Sequence, residues 1–189
     1  MFDELHDGSL YYPMSGEILD VQTRCLEKLY DYNQTRPSEA ERRAALLREM
    51  FCEIDEGCYI EPPFHANWGG AHVHFGRNIY VNFNLTLVDD THIYVGDNTM
   101  IGPNVTITAA SHPIDPALRS GSGLQYNLPV RIGRNCWIAA GVTILPGVTI
   151  GDNSVIGAGS VVTRDIPPDV LALGVPCRVV RPVKNSDRN

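Results

Sequence analysis

The chain has 189 residues, a formal net charge of -7 and an isoelectric point near 5.3. This length supports one domain with an appended piece, and it can bury most of the surface that the unfolded chain exposes. A nucleic-acid partner is excluded, because the sequence has no basic stripe to neutralise phosphates. The acidic amino terminus is unlike a signal peptide and no apolar run reaches membrane-spanning length, so we expect no membrane partner and a cytoplasmic location.

The cysteines predict neither disulfides nor a zinc knuckle. Their number is odd and no two of them form a Cys-x-x-Cys pair. We therefore expect reduced thiols at every one of these positions. They are Cys25, Cys52, Cys58, Cys136 and Cys177.

Two amphipathic helices are predicted in an N-terminal cap region over residues 1–58. Apolar side chains recur at helical spacing over residues 17–33, with Glu and Lys between them. Ser38 followed by Glu41 is a capping-box pattern, so a second helix is predicted from about Glu39 to Glu53. No low-complexity linker divides these helices from the rest of the chain, which predicts a cap on one continuous fold.

A repeat of six residues occupies residues 59–184, before a polar tail at residues 185–189 that is expected to be frayed. It is clearest from Ile132 to Asp165, where Ile or Val opens every hexad. Two extra residues shift its phase once, between Ile93 and Val95. The earlier guide positions are Phe75, Val81, Leu87, Ile93, Val95, Ile101 and Ile107.

A period of six fits neither a helix nor a simple strand, and it is typical of a coil of short parallel strands. Each hexad would form one flat side and one corner, with its large aliphatic residue inward and Asn, Asp or Gly at the corner. Three hexads close a turn, and only the stack of turns makes a continuous core. The alternative, recurring hairpin turns of an antiparallel sheet, is disfavoured because no hexad from Ile132 onward misses its Ile or Val. The predicted fold is mainly β, a parallel β-helix with a helical cap.

The repeat stops at an inserted loop over about residues 108–131, and such long excursions are usually functional or disordered. His112 lies in this loop, and Pro113 restrains the backbone after it. A histidine with a pKa near neutrality can take a proton from a hydroxyl and return it to a leaving group, as acyl transfer demands. A loop histidine satisfied by solvent is the alternative.

The chain resembles the maltose and galactoside O-acetyltransferases among the hexapeptide-repeat acyltransferases, and the matching segments cover nearly all of it in order. They are Ser38-Glu-x-Glu-Arg-Arg, Ile79 to Asp90, Ile101-Gly-Pro-Asn-Val, His112-Pro, the Trp137 hexad and Gly174-Val-Pro-Cys-Arg-Val. The resemblance implies a left-handed coil and acetyl transfer from acetyl-CoA to a sugar hydroxyl, without a metal. It also implies a homotrimer with active sites between neighbouring coils.

The same resemblance implies residue roles, with His112 as the general base. A carboxylate and an amide can hold vicinal hydroxyls at fixed distances, which suits an acceptor site. The implied acceptor-site residues are Asn67, Tyr80, Asn82, Asp90 and Trp137, and the implied coenzyme-site residues are Ala140, Ala158, Thr163, Arg164, Arg178 and Arg181. Alternatives stay open: Asn82 as a corner residue bonding the backbone, the alanines as small coil residues, and Trp137 as a contact to a neighbouring chain.

The amino terminus departs from the family pattern. The family usually carries an Asp after the first Tyr and an Arg one turn into the first helix, both serving the acceptor. The corresponding places here are Tyr12 or Pro13 and Gln22, with Arg24 close by. The reaction type survives this change, but the identity of the sugar is not predicted.

Three rival functions share some of these sequence features. A zinc hydratase of the carbonic-anhydrase type uses the same coil, but three histidines must meet one metal and no second histidine comes closely after His112. The histidines considered are His65, His72, His74, His92 and His112. A non-sugar acceptor, such as an antibiotic or a serine-like compound, is the runner-up, although relatives of that kind generally lack the N-terminal helix motif. A non-catalytic solenoid used for assembly would need no general base.

Overall fold

The structure, a computed structural model, describes residues 2–184, so the predicted tail at residues 185–189 lies outside the described residues. The helices are a 3-10 helix (Asp3–Leu5), α1 (Gly16–Asn33), α2 (Ala40–Met50) and a π-helical turn (Ala117–Gly121). The strands are β1 (Glu53–Ile54), β2 (Tyr59–Ile60), β3 (His65–Ala66), β4 (Val73–Phe75), β5 (Tyr80–Val81), β6 (Thr86–Val88), β7 (Ile93–Val95), β8 (Met100–Ile101), β9 (Thr106–Thr108), β10 (Ala110–Ser111), β11 (Tyr126–Asn127), β12 (Val130–Ile132), β13 (Trp137–Ile138), β14 (Thr143–Ile144), β15 (Thr149–Ile150), β16 (Val155–Ile156), β17 (Val161–Val162), β18 (Val170–Leu173) and β19 (Arg178–Pro182).

Parallel strands stack into the three faces of a solenoid. Face 1 contains β1, β4, β7, β12 and β15, and face 3 contains β3, β6, β9, β14 and β17. Face 2 contains β2, β5, β8, β13, β16 and β18, and it ends with β19, which pairs antiparallel to β18. The predicted mainly β, parallel β-helix fold is confirmed.

The core consists of the aliphatic columns that the hexads predict. On face 2, successive turns pair in register, so that side chains from the same hexad position lie one above another. This column is at most 1% exposed, and it contains Ile60, Val81, Ile101, Ile138, Ile156 and Ala172. The phase shift is a longer strand rather than a break, because Ile93 and Val95 both point inward from β7 and pair with Val130 and Ile132.

A ladder of four asparagines and one aspartate holds one corner of the solenoid. Its members adopt left-handed backbone conformations with φ between 54° and 60°, which asparagine tolerates better than most residues. Each side-chain amide nitrogen lies 2.8 to 3.3 Å from the side-chain oxygen of the next member and donates a hydrogen bond to it. The members are Asn78, Asn98, Asn135, Asn153 and Asp169. The corner positions of the hexads therefore carry Asn for both its backbone and its side chain.

The helical cap closes the amino-terminal end of the core. Tyr32 is fully buried, and its hydroxyl donates to the Ile60 carbonyl at 2.6 Å. Asn33 exchanges two hydrogen bonds with the backbone of Phe64, at 2.8 and 3.0 Å. These bonds join the end of α1 to the first turn of the solenoid.

The second helix differs from its prediction at both ends. Glu39, not Ser38, is the N-cap, and its side chain accepts a backbone N–H from the preceding turn at 2.6 Å. The predicted capping box with Glu41 is therefore wrong. The helix ends at Met50 rather than Glu53, because Glu53 already pairs with face 1 as part of β1.

The inserted loop is structured. Its strands β10 and β11 form an antiparallel pair, and Tyr11 bridges Gln125 just before β11. The N-terminal segment (residues 2–15) thus lies against the loop. Within residues 2–184, no helix is long and apolar enough to cross a membrane. All five cysteines lie in this described part and are free thiols.

Candidate active site

Three predicted site residues converge at one corner of the solenoid. Asn67 follows β3, Asp90 lies shortly after β6, and His112 follows β10, which continues from β9. These strands belong to successive turns of face 3, so the residues after them lie side by side. They border two adjoining cavities of about 540 and 530 Å³, and both cavities are also lined by Gln125.

The orientation of His112 is set by one hydrogen bond. Its Nδ1 lies 3.1 Å from the carbonyl oxygen of Leu124. A carbonyl can only accept, so Nδ1 carries the hydrogen in this bond and Nε2 keeps its lone pair. Arg119 braces the backbone after the histidine by donating to the carbonyls of Pro113 and Ile114, at 3.1 and 2.8 Å. An exposed imidazole in this tautomer can accept a proton from a hydroxyl group.

The carboxylate of Asp90 is held by amides on both sides. Its Oδ2 accepts from Asn67 Nδ2 at 2.8 Å, and its Oδ1 accepts from Gln125 Nε2 at 2.9 Å. Its backbone carbonyl accepts from Asn127 Nδ2 at 3.3 Å. Each carboxylate oxygen can accept more than one hydrogen bond, so Asp90 retains capacity for an acceptor hydroxyl in the cleft.

The neighbouring Asp89 has a different role. Its two oxygens accept the backbone N–H groups of Trp68 and Gly70, at 2.7 and 2.8 Å. The side chain is fully buried, and this burial raises the pKa of Asp89 to about 6. Asp89 therefore shapes the turn after Asn67, whereas Asp90 faces the cleft.

The N-terminal segment and α1 form the wall of the second cavity. Pro13, Met14 and Ile18 line it, and Gln22 Nε2 donates to the Asn67 carbonyl at 3.0 Å. Pro13 and Gln22 thus lie in this wall, and Tyr12, the other residue predicted to depart from the family pattern, does not line it. Arg24 is exposed and is not among the residues that line this cavity.

Three other predicted acceptor residues lie away from His112 within the chain. Tyr80 and Trp137 stand in the outer row of face 2, separated by Met100, and the three are 41 to 52% exposed. Asn82 Oδ1 accepts the backbone N–H of Phe83 at 2.8 Å, as a corner residue does. One chain alone does not bring these residues to the histidine.

The predicted coenzyme positions lie on the later turns, in three places. Ala140 and Ala158 occupy the same corner one turn apart, where the Gly159 N–H donates to the Ala140 carbonyl at 2.9 Å, and both alanines are exposed. Thr163 and Arg164 follow β17 at another corner. Arg178 and Arg181 lie on β19, the antiparallel strand at the end of face 2.

Sequence reasoning missed three buried polar residues at the site, namely Tyr11, Gln125 and Asn127. They are 6%, 7% and 1% exposed, and they connect the N-terminal segment with Asp90. One signal was available, because Gln125 and Asn127 flank Tyr126 and alternate residues of a strand share a face.

Four histidines cluster on the outside of face 1. His74 Nε2 lies 2.8 Å from His92 Nδ1, His6 stacks on His92 with ring centroids 4.5 Å apart, and His6 and His72 meet edge to face at 4.9 Å. Among the described residues, no group of three or more His, Cys, Asp or Glu side chains could hold a metal ion. The zinc-hydratase alternative is therefore left without a candidate ligand set in residues 2–184.

This cluster predicts a loss of stability in acid. Burial lowers the pKa of His72 to about 4, and burial with the charges of His6, His74 and Arg131 lowers the pKa of His92 to about 4. An unfolded histidine titrates near pH 6.5, so below that pH the unfolded chain binds more protons than the folded chain. The stability that depends on neutral imidazoles is complete above about pH 6.5 and is lost as the pH falls towards 4.

We expect the urea midpoint of unfolding to fall between pH 6.5 and 4.5, and to fall less in the variant His72→Asn. Carboxyl groups titrate partly in the same range, and comparison with the variant removes their common contribution. The same acid dependence in both proteins would contradict the prediction.

The hexad solenoid, the helical cap and the loop histidine together define a hexapeptide-repeat transferase class. Comparison with known proteins agrees. A sequence profile described as "Bacterial transferase hexapeptide (six repeats)" matches residues 129–164, and one described as "Maltose acetyltransferase hexapeptide capping motif" matches residues 5–55.

Full-length relatives extend this match. The chain is 53% identical over 186 residues to a galactoside O-acetyltransferase of Lactococcus lactis subsp. lactis, covering 98% of this chain and 89% of that protein. It is 46% identical over 189 residues to the galactoside O-acetyltransferase of Escherichia coli, covering 100% and 92%. A solved galactoside acetyltransferase in complex with coenzyme A superimposes with a TM-score of 0.94 at 46% identity, covering 100% of this chain and 93% of that one. The chain belongs to the maltose and galactoside O-acetyltransferase family and is an acetyl-CoA-dependent O-acetyltransferase.

Proposed function

We propose that this enzyme acetylates a hydroxyl group of a sugar, with His112 as the general base. The observation that carries this proposal is one cleft in which the lone pair of His112 Nε2 and the held carboxylate of Asp90 occur together. A base and an oriented hydrogen-bond acceptor are what a sugar hydroxyl needs to become a positioned nucleophile. The galactoside O-acetyltransferase relatives support a sugar as the acceptor.

The reaction uses these groups in sequence. Asp90 and Asn67 bind hydroxyls of the acceptor, and one hydroxyl donates its hydrogen to His112 Nε2. The hydroxyl oxygen attacks the thioester carbonyl carbon while the imidazole takes the proton. When the tetrahedral oxyanion collapses, the carbon–sulfur bond breaks, and the imidazolium returns the proton to the coenzyme sulfur. The products are the acetyl ester and the free thiol of coenzyme A.

Coenzyme A is proposed to bind along the later turns. The exposed Ala140 and Ala158 have short side chains, which allow the pantetheine arm to approach the backbone. Thr163 lies at a neighbouring corner, and Arg164, Arg178 and Arg181 supply the guanidinium groups that suit phosphates. The solved relative in complex with coenzyme A supports coenzyme A as the carrier of the acetyl group.

Tyr80, Asn82 and Trp137 are proposed to serve the acceptor from a neighbouring chain. Their face carries an exposed apolar row with Met100 at its centre, which suits contact between copies arranged as a homotrimer. Mixing a His112→Ala chain with a Trp137→Ala chain after reversible dissociation should then restore part of the activity. A monomer by sedimentation at micromolar concentration would contradict the shared site.

A panel of acceptors tests the function. Purified enzyme is incubated with acetyl-CoA and galactosides, glucosides, maltose, serine or a hydroxyl-bearing antibiotic, and free thiol is measured over time. We expect thiol release with at least one sugar and a stable acetyl ester as the product. Release only with the non-sugar compounds, or with none of the compounds, would overturn the sugar assignment.

A further inference from the structure

Tyr11 is the point at which the N-terminal segment is fixed to the catalytic loop. Its backbone forms a two-bond bridge with Gln125, at 2.9 and 3.0 Å. Its hydroxyl oxygen lies 2.6 Å from Gln125 Nε2 and 2.9 Å from Asn127 Nδ2 and accepts from both. The side chain is only 6% exposed. One residue thus engages both the backbone and the side chains of the loop.

The two amides connect Tyr11 to Asp90. Gln125 Nε2 donates to the carboxylate at 2.9 Å, and Asn127 Nδ2 donates to the backbone carbonyl at 3.3 Å. Leu124, directly before Gln125, provides the carbonyl that accepts from His112 Nδ1. The Gln125 amide therefore lies between the N-terminal segment and the Asp90 carboxylate. The same segment is bound to the backbone of Gln125, which directly follows Leu124, the residue whose carbonyl orients His112.

The Tyr11 hydroxyl determines the orientation of these amide groups. Gln125 Nε2 has two hydrogens and three acceptors within 3.0 Å, namely Tyr11, Asp90 and Asn127 Oδ1. A buried polar network is rigid when each member is satisfied, whereas a donor that loses its acceptor reorients or stays unpaired at a cost. Burial, and to a lesser extent the charge of Asp90, raises the pKa of Tyr11 to about 12, so the hydroxyl remains neutral over the working range of pH.

We infer that Tyr11 is a positioning residue of the acceptor site, which acts through Gln125 to set the direction of the Asp90 carboxylate. The inference rests on the proposed function, because it assumes that the sugar binds at Asp90. It assigns the N-terminal segment a role in acceptor binding rather than in coenzyme binding.

The test is the variant Tyr11→Phe, which keeps the ring and removes only the hydroxyl. We expect the KM for the sugar to rise about tenfold, while the KM for acetyl-CoA changes less than twofold. Tyr30→Phe is the control, because Tyr30 is 63% exposed on α1, and it should behave as the wild type. An unchanged sugar KM in Tyr11→Phe, with or without a lower melting temperature, would show a structural role only.

A double-mutant cycle tests the route through Gln125. In Gln125→Met the amide donor is absent, so adding Tyr11→Phe should raise the sugar KM by less than twofold beyond the single variant. Multiplicative effects would overturn the coupling. If the wild type acetylates no sugar, the proposed function fails first and this inference fails with it. If the wild type acetylates a sugar and both variants keep its KM, the inference alone fails.

Discussion

Replacing His112 by alanine should lower kcat about 10²-fold or more while leaving coenzyme A binding nearly intact. The imidazole is held by a single hydrogen bond from Nδ1 to the Leu124 carbonyl, and its Nε2 is the atom that takes the hydroxyl proton in the proposed mechanism. Without it, water must accept the proton from the sugar hydroxyl, and water is a much weaker base than imidazole. Steady-state thiol release gives kcat, and calorimetric titration gives the affinity for coenzyme A.

The control for this experiment is His74→Gln, which changes a histidine on the outside of face 1, away from the cleft. It should retain kcat at neutral pH. If His112→Ala lost activity only because coenzyme A no longer bound, the general-base assignment would be wrong. A kcat within threefold of the wild type would equally reject it.

The substitutions Asp90→Asn and Asp89→Asn should have opposite effects on activity and stability, although the two residues are adjacent. Asp90→Asn should lower kcat/KM for the sugar about 10²-fold and leave coenzyme binding unchanged. In Asp90→Asn, the new amide nitrogen would face the N–H donor of Gln125 or of Asn67. It could not accept hydrogen bonds from the hydroxyls of the sugar, as the carboxylate oxygen does. The adjoining cavities admit water to an unpaired donor, so stability should change little.

Asp89→Asn should instead lower the free energy of unfolding by about 1–3 kcal/mol, because one buried backbone N–H, of Trp68 or Gly70, loses its acceptor. The side chain is 0% exposed, so no water can replace the bond. Below the melting temperature its kcat/KM should stay within a few-fold of the wild type. Urea unfolding and sugar kinetics on both variants separate the roles, and equal losses of activity would contradict the assignment.

The sequence predicted the solenoid well because the conformation of each hexad depends mainly on its own residues. The inward position of Ile138 depends on the hexad alone, and Asn135 at a corner depends on its own φ of 54°. The capping box at Ser38 failed because the helix begins one residue later, with Glu39 as its N-cap and the Glu39 side chain accepting the Arg36 backbone N–H, and spacing alone does not show this shift. The predicted loop around His112 contains an antiparallel strand pair, which the sequence did not reveal because its two strands are separated by the π-helical turn Ala117–Gly121.

The predicted site residues came from the resemblance to the family, and the repeat explains why three of them lie together. Asn67, Asp90 and His112 follow strands of one face on successive turns, so the repeat itself places them together. Tyr11 was not accessible, because its bond to Gln125 joins residues 114 positions apart. No periodicity relates two such positions.

By itself, the amino-acid sequence determined the repeating side, corner and core of the coil, and its resemblance to the family singled out His112 and Asp90 as candidates for the site. Only the tertiary structure decided that Asp89 supports a turn while Asp90 faces the cavity, and that Trp137 stands on a different face from His112. The physical reason is that a hexad specifies only the direction in which each side chain points from its own backbone. Which distant groups a side chain then meets depends on how the whole chain closes around it.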